Sequence, residues 1–248
     1  MSGPSLAVFG ATSAIAEQLA RRFAAKRARL FLVARDGARL ERIAADLSLR
    51  GAASIATRAA DLDDPAVLAP LLEAMEAAIG VPEIVLVAFG TLGDQAAIAR
   101  DVEATRRSLG TNFVSPACLL TALAGRMESA GRGLLVVLTS VAGERGRASN
   151  YVYGAAKGGL STFLEGLRHR LAPTGVRVLD VRPGPVATPM TAGLGLSGPL
   201  LAAPERVAAD IERAIEKRRS VLYTPWFWRW IMLVIRALPE PIFHRTRL

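Results

Sequence analysis

The chain has 248 residues, 51% hydrophobic, 21% charged and 6% aromatic, which supplies one sizeable core and excludes a disordered or low-complexity chain. Thirty-one Lys and Arg against twenty-two Asp and Glu give a net charge of +9. Residues 217–248 hold seven basic residues and a single acid (Glu240), so the body is nearly balanced and no nucleic-acid partner is expected.

One cysteine (Cys118) and two histidines (His169, His244) exclude an internal disulfide and leave too few ligands for a Cys- or His-based metal site. The N-terminus enters an apolar LAVFG run without a basic flank, so no leader is expected and the chain reads as cytoplasmic. The uncharged stretch 183–204 is broken by five Pro and four Gly, which argues against a spanning helix.

In chain order, strands are predicted at 5–10, 29–34, 53–59, 83–89, 132–140, 175–182 and 220–223, as continuous Val/Leu/Ile runs of the kind a strand buried on both faces requires. Helical patterns lie between them at 14–26, 37–49, 65–79, 99–127, 151–172 and 204–218. Asp64-Pro65 is a start signal, and Gly80 and Gly175 are stops. The alternation predicts an α/β, Rossmann-type doubly wound parallel sheet of about seven strands with helices on both faces. It reads as one domain over 1–223, followed by a basic, Trp-rich extension over 224–248.

The first strand ends in GATSAIA, Gly10 to Ala16, and runs straight into a helix. Such a turn brings backbone N–H groups and a helix N-terminus up to a pyrophosphate. Gly10, Thr12, Ser13, Ala14 and Ile15 are therefore candidate cofactor ligands. The second strand ends at Ala34 and Arg35, where an acid would bind a ribose 2′-hydroxyl and an Arg accommodates a 2′-phosphate. NADP is thus expected ahead of NAD, with Asp36 tempering the preference. Tyr153 and Lys157 are i, i+4 on one helix, and Ser140 stands at the end of the fifth strand. An ammonium beside a phenol is expected to lower its pKa, so that Tyr153 exchanges a proton with a carbonyl oxygen while Ser140 holds that oxygen.

These motifs resemble the short-chain dehydrogenase/reductase family over residues 5–223. The resemblance implies catalytic roles for Ser140, Tyr153, Lys157 and Asn112, the last anchoring a water that links the lysine to solvent. It implies cofactor contacts from Asp61 with neighbouring Leu62, from Ala88 and Gly90, from Pro183, Gly184, Val186 and Thr188, and from Tyr153 and Lys157. Two departures stand out: Ala14 and Ala16 replace glycines of the turn, and Val87-Ala88-Phe89-Gly90 replaces the usual N-N-A-G. The first keeps open the alternative of a catalytically silent binding protein.

Four segments (89–94, 142–160, 176–190 and 224–243) are similar to family members that reduce a polyprenyl-phosphate-linked 2-keto pentose in cell-wall synthesis. That likeness implies a lipid-linked ketone substrate and a partner oxidase supplying it. The alternative is another ketone, 3-oxoacyl or small. A homo-oligomer is expected on the same grounds.

The tail reads as a helix of about fourteen residues from Thr224-Pro225 to Pro239. Trp226, Trp230, Leu233 and Ala237 share one side, and Arg229 and Arg236 lie on another. Tryptophan with arginine suits a bilayer interface, so contact with the inner membrane is expected; a core or subunit-contact helix is the alternative. Residues 186–204, with Leu194, Leu196, Leu200 and Leu201, read as an apolar lid over the site. Arg145 and Arg147 could reach a substrate phosphate or be solvated loop cations. His169 and Cys118 read as structural, the cysteine as a small buried hydrophobe.

Overall fold

A computed structural model describes residues 3–195 and 198–246. The strands are β1 (Ser5–Phe9), β2 (Arg29–Ala34), β3 (Ser54–Ala59), β4 (Ile84–Val87), β5 (Gly133–Leu138), β6 (Val176–Pro183) and β7 (Val221–Thr224). The helices are α1 (Ala14–Ala24), α2 (Gly37–Leu49), α3 (Leu68–Ile79), α4 (Gln95–Ile98), α5 (Val102–Leu109), α6 (Ser115–Ala130), α7 (Tyr151–Leu171), α8 (Pro204–Glu216), α9 (Trp228–Ala237) and α10 (Glu240–Phe243).

All seven strands pair in parallel, in the order β3-β2-β1-β4-β5-β6-β7. Both faces are covered because successive strand residues alternate between two cores. Leu6, Val8, Leu30 and Leu32 meet α1, α2 and α8, whereas Ala7, Phe9, Phe31 and Val33 meet α3, α6 and α7. Strand order reverses between β1 and β4, and the carboxyl ends there open a crevice where ligands of such sheets bind.

Three expectations are corrected. The single helix over 99–127 is α5 and α6 joined by a π-helical turn at Gly110–Val114, where Ser115 N–H bonds the Gly110 carbonyl five residues back. The shifted register carries Asn112 inward, a common use of such bulges. Cys118 is exposed, because the buried face of α6 runs through Pro116, Leu119, Leu120, Leu123 and Met127 and leaves position 118 outside. His169 is also exposed, with Arg168 and Arg170 in the last turn of α7, where basic groups suit the helix dipole.

The tail forms two helices, α9 and α10, with α9 docked on the body. Trp228, Met232 and Ile235 pack with Val141 from the 3-10 turn Val141–Glu144 that follows β5. Arg145 locks the end of α9: its Nη1 donates to the carbonyls of Ile235 (2.6 Å), Arg236 (3.1 Å) and Leu238 (2.7 Å). Its guanidinium also lies 3.8 Å from the Phe243 ring centroid. Arg145 is therefore a cap for the tail helix, which removes it as a candidate substrate ligand.

Candidate active site

A cleft of about 1310 Å³ opens at the carboxyl ends of the central strands. That exceeds the ~300–1,000 Å³ of a site for one drug-sized ligand, leaving room for a dinucleotide and a second molecule. Gly10, Thr12, Ser13, Ala14, Ile15, Arg35, Asp61, Leu62, Ala88 and Gly90 line it, as do Ser140, Tyr153, Lys157, Pro183, Gly184, Val186 and Thr188. Asn112 does not.

At one end, α1 begins at Ala14 behind Ser13, whose N–H donates to the Gly10 carbonyl (3.0 Å) and whose side chain makes no capping bond, so the N–H groups of the first turn lack a side-chain cap at the cleft. Gly10 has φ +90, and a Cβ there would fall 2.6 Å from the Phe89 nitrogen, so the turn requires glycine. Ala16 is fully buried in the core beneath this turn. A small side chain at that position fits between helix and sheet, and the helix N-terminus keeps the shape that receives a pyrophosphate. Asp36 caps α2 by accepting from the Arg39 N–H (2.9 Å), which occupies the acid expected to compete for a ribose. Arg39 joins Arg35 on the cleft wall. Sequence reading missed it because it lies five residues beyond the strand, one turn into α2.

At the other end, Ser140 follows β5 and its Oγ accepts from the Ala142 N–H (3.0 Å), leaving the hydroxyl proton to donate. Its approach to Tyr153 depends on small residues. A Cβ on Gly158 would fall 2.6 Å from the Gly143 carbonyl oxygen, and one on Gly154 would fall 2.8 Å from that of Ala142. Backbone therefore meets backbone between the turn after Ser140 and the face of α7 next to Tyr153 and Lys157.

Lys157 is 3% exposed and its Nζ donates to the Leu138 carbonyl (3.0 Å). It lies 5.8 Å from the Tyr153 ring centroid. Burial pulls the lysine down to about 8, against the attraction of Asp180. The expected lowering of the tyrosine is corrected. Protein packed round the Tyr153 hydroxyl pushes it up to about 12, opposed by a hydrogen bond from Ser140. Desolvation disfavours the charged phenolate, and the lysine ammonium is directed at the Leu138 carbonyl instead.

Asn112 stands behind the wall, fully buried. Its Nδ2 donates to the carbonyls of Thr91 (2.8 Å) and Ser108 (2.9 Å), and its Oδ1 accepts from Thr91 N–H (3.0 Å). Its side chain is thus a clamp on the segment after β4, next to Gly90 and Lys157. Two further groups were not foreseen. Asp180 is 1% exposed, accepts from Thr139 Oγ1 and pairs with Arg182 (2.8 Å); an acid inside the apolar run VRVLDV was the available signal. Trp228 brings the tail into the cleft wall.

An ideal Cβ on Gly184 would sit 2.0 Å from Trp228 Nε1. Gly184→Ala is therefore expected to cost about 1–3 kcal/mol by overpacking and to unseat Trp228, read as a lower thermal midpoint together with a red-shifted tryptophan emission. The segment expected to form a lid is tied at its base by a bridge between Val186 and Ala202. Met190 and Leu200 are nearly half exposed, and Leu196 lies outside the described residues.

A cleft at the strand-order reversal, a phosphate cradle at one end and a serine, tyrosine and lysine at the other define a nucleotide-dependent oxidoreductase. The short chain dehydrogenase profile matches residues 5–196, and the chain belongs to that family. It is 43% identical over 238 residues to an uncharacterized oxidoreductase of Mycobacterium tuberculosis, covering 96% of this chain and 95% of the relative. It is 38% identical to an uncharacterized oxidoreductase of Streptomyces coelicolor, over 98% of this chain and 97% of that one. A solved actinorhodin polyketide ketoreductase with NADPH superposes with a TM-score of 0.82 at 24% identity, over 92% and 99% of the two chains, a likeness of fold.

Proposed function

We propose that this oxidoreductase is an NADPH-dependent carbonyl reductase in which Tyr153 is the general acid. The observation carrying the reading is that Ser140, Tyr153 and Lys157 share one cleft with the open N-terminus of α1 and with Arg35 and Arg39. Bound NADPH supplies the hydride. The Tyr153 hydroxyl, protonated at neutral pH, delivers the proton to the carbonyl oxygen while the Ser140 hydroxyl holds that oxygen. Lys157 places a positive charge beneath the developing phenolate, and Asn112 keeps the segment beside the lysine in place.

Arg35 and Arg39 recognise the 2′-phosphate of NADP. Replacing both by Gln is expected to weaken NADPH binding about tenfold to a hundredfold, the worth of one or two hydrogen bonds to a charged group, and to leave NADH affinity in place. Fluorescence titration with both nucleotides checks it.

The ketone in this reading is the 2-keto group of a polyprenyl-phosphate-linked pentose. The activity is then that of a decaprenylphosphoryl-2-keto-erythro-pentose reductase acting after a partner oxidase. What supports it is the similarity of four segments to such reductases, the apolar Met190 and Leu200 on the lid, and the outer face of α9. Trp230 (57%) and Leu233 (58%) are exposed there beside Arg229 and Arg236, and Trp226 (66%) is exposed just before the helix. This face meets the inner membrane from the cytoplasm in a homo-oligomeric enzyme. Among the described residues no helix is long and apolar enough to span a bilayer.

NADPH oxidation against a polyprenyl-linked 2-keto pentose, a 3-oxoacyl thioester and a small diketone tests the substrate. Preference for the thioester would replace the lipid-sugar reading by the acyl one, and absence of NADPH binding would leave a silent fold. Because α9 also walls the cleft, membrane contact is tested with Trp230→Ser and Leu233→Ser in place of a truncation. Both are expected to abolish co-sedimentation with anionic liposomes at low salt.

A further inference from the structure

Among the described residues, seven buried side-chain polar atoms lack a hydrogen-bond partner, and four belong to residues lining the cleft: Gln95 Nε2, Arg147 Nε, Asn150 Oδ1 and Trp228 Nε1. A polar group buried without a partner costs about 1–3 kcal/mol, so their gathering in one cleft points to a ligand that satisfies them. Three of the four are donors, and one belongs to a guanidinium.

Arg147 differs from its neighbour Arg145, whose guanidinium caps α9. No ion pair or side-chain hydrogen bond engages Arg147 among the described residues, and burial weakens its hold on the proton. It opens a turn closed by the Asn150 N–H donating to the Arg147 carbonyl (3.0 Å), which leads directly into α7 and Tyr153. Gln95 stands at the same helix start, where its Oε1 accepts from the Val152 N–H (3.3 Å) and its Nε2 remains free. The 21-residue α7 adds the positive end of its dipole. Phosphate oxygens match a guanidinium fork, an amide donor and a helix N-terminus together.

We infer that Arg147, with Gln95 and the N-terminus of α7, forms an anion subsite that receives a substrate phosphate and thereby presents the adjoining ketone to Tyr153. This subsite is separate from the one formed by Arg35 and Arg39. The inference rests on the ketoreductase reading for the ketone alone; the anion preference can be measured without turnover.

The test is calorimetric binding of geranyl phosphate, geraniol and inorganic phosphate to the full chain loaded with NADP+. Geranyl phosphate is expected to bind at least about tenfold tighter than geraniol, with Arg147→Gln removing about tenfold or more of that preference and Arg147→Lys a smaller part. NADP+ affinity reports folding of the variants. Competition by inorganic phosphate at similar affinity would assign the subsite to free phosphate instead of a prenyl phosphate. Equal affinity for geranyl phosphate and geraniol overturns the inference, as does a preference that survives Arg147→Gln. Should the Gln variant lose NADP+, an undiminished preference in Arg147→Lys overturns it equally. A protein that shows the preference yet reduces no ketone would sink the reductase reading and leave the subsite standing.

Discussion

Tyr153→Phe is expected to lower kcat for ketone reduction by about 10²–10⁴, the usual contribution of a positioned general acid, while NADPH still binds. The substitution deletes one hydroxyl and keeps the ring that packs beside Lys157. Single-turnover hydride transfer and cofactor titration separate the two effects, and a variant with undiminished turnover would refute the assignment. The phenol's displacement to about 12 also fixes the pH behaviour. Tyr153 stays protonated through the neutral range, so it imposes no loss on reduction there. The reverse oxidation needs the phenolate and should rise with pH, about tenfold per unit below the pKa. A fall in reduction near pH 8 would belong to Lys157, whose ammonium titrates there.

Lys157→Met is expected to abolish reduction and yet raise stability. Folding takes this amine from an ordinary 10.5 to about 8. The unfolded chain therefore binds more protons between those values, and stability from this group increases as pH rises through that window. Below pH 8 the full penalty applies, about 3 kcal/mol from the size of the displacement. Methionine keeps much of the packing but deprives the Leu138 carbonyl of its donor, which offsets about 1 kcal/mol. The net gain of about 2 kcal/mol corresponds to a midpoint higher by about 4–8 °C for a chain of this size. Thermal unfolding at pH 7 and pH 10 checks it: the variant should gain at pH 7 and lose the pH-dependent rise. A lower midpoint with the rise intact would mean that the ammonium is not strained. A gain of stability on replacing Lys157 is what a functional constraint at that position predicts.

Docked on the body, α9 has two distinct faces. Its inner face contributes Trp228 to the cleft, and its outer face presents Trp230, Leu233 and Val234 to the surroundings. Glu144 joins this arrangement to the core, because it pairs with Arg182 (3.4 Å) and with Arg236 of α9 (3.8 Å). Arg182 in turn pairs with Asp180, the acid that acts on Lys157. A chain of charges thus runs from the tail to the lysine under the site.

Strand and helix positions were legible in the amino-acid order because a strand buried on both faces must be apolar throughout, as in LAVF, LFLV, IVLV and LLVV. The turn at Gly10, the Tyr153–Lys157 pair and the serine after the fifth strand were legible for a related reason: each is local, lying within one turn of helix or at one strand end. Groups acting across the chain were not. The inward swing of Asn112 needs the π turn, and the opposite fates of Arg145 and Arg147, two residues apart, depend on α9 arriving from ninety residues later. The phenol's rise instead of fall was hidden for the same reason. A pKa depends on how much water the folded chain removes and where a neighbouring ammonium is directed, and neither is written in the i, i+4 spacing. Sequence alone determined the seven strands, most of the helices, the parallel pairing and the chemical groups at the strand ends; tertiary packing decided the break between α5 and α6 and which of those groups are left without partners, since only the folded chain brings distant carbonyls and carboxylates to some arginines and withholds them from others.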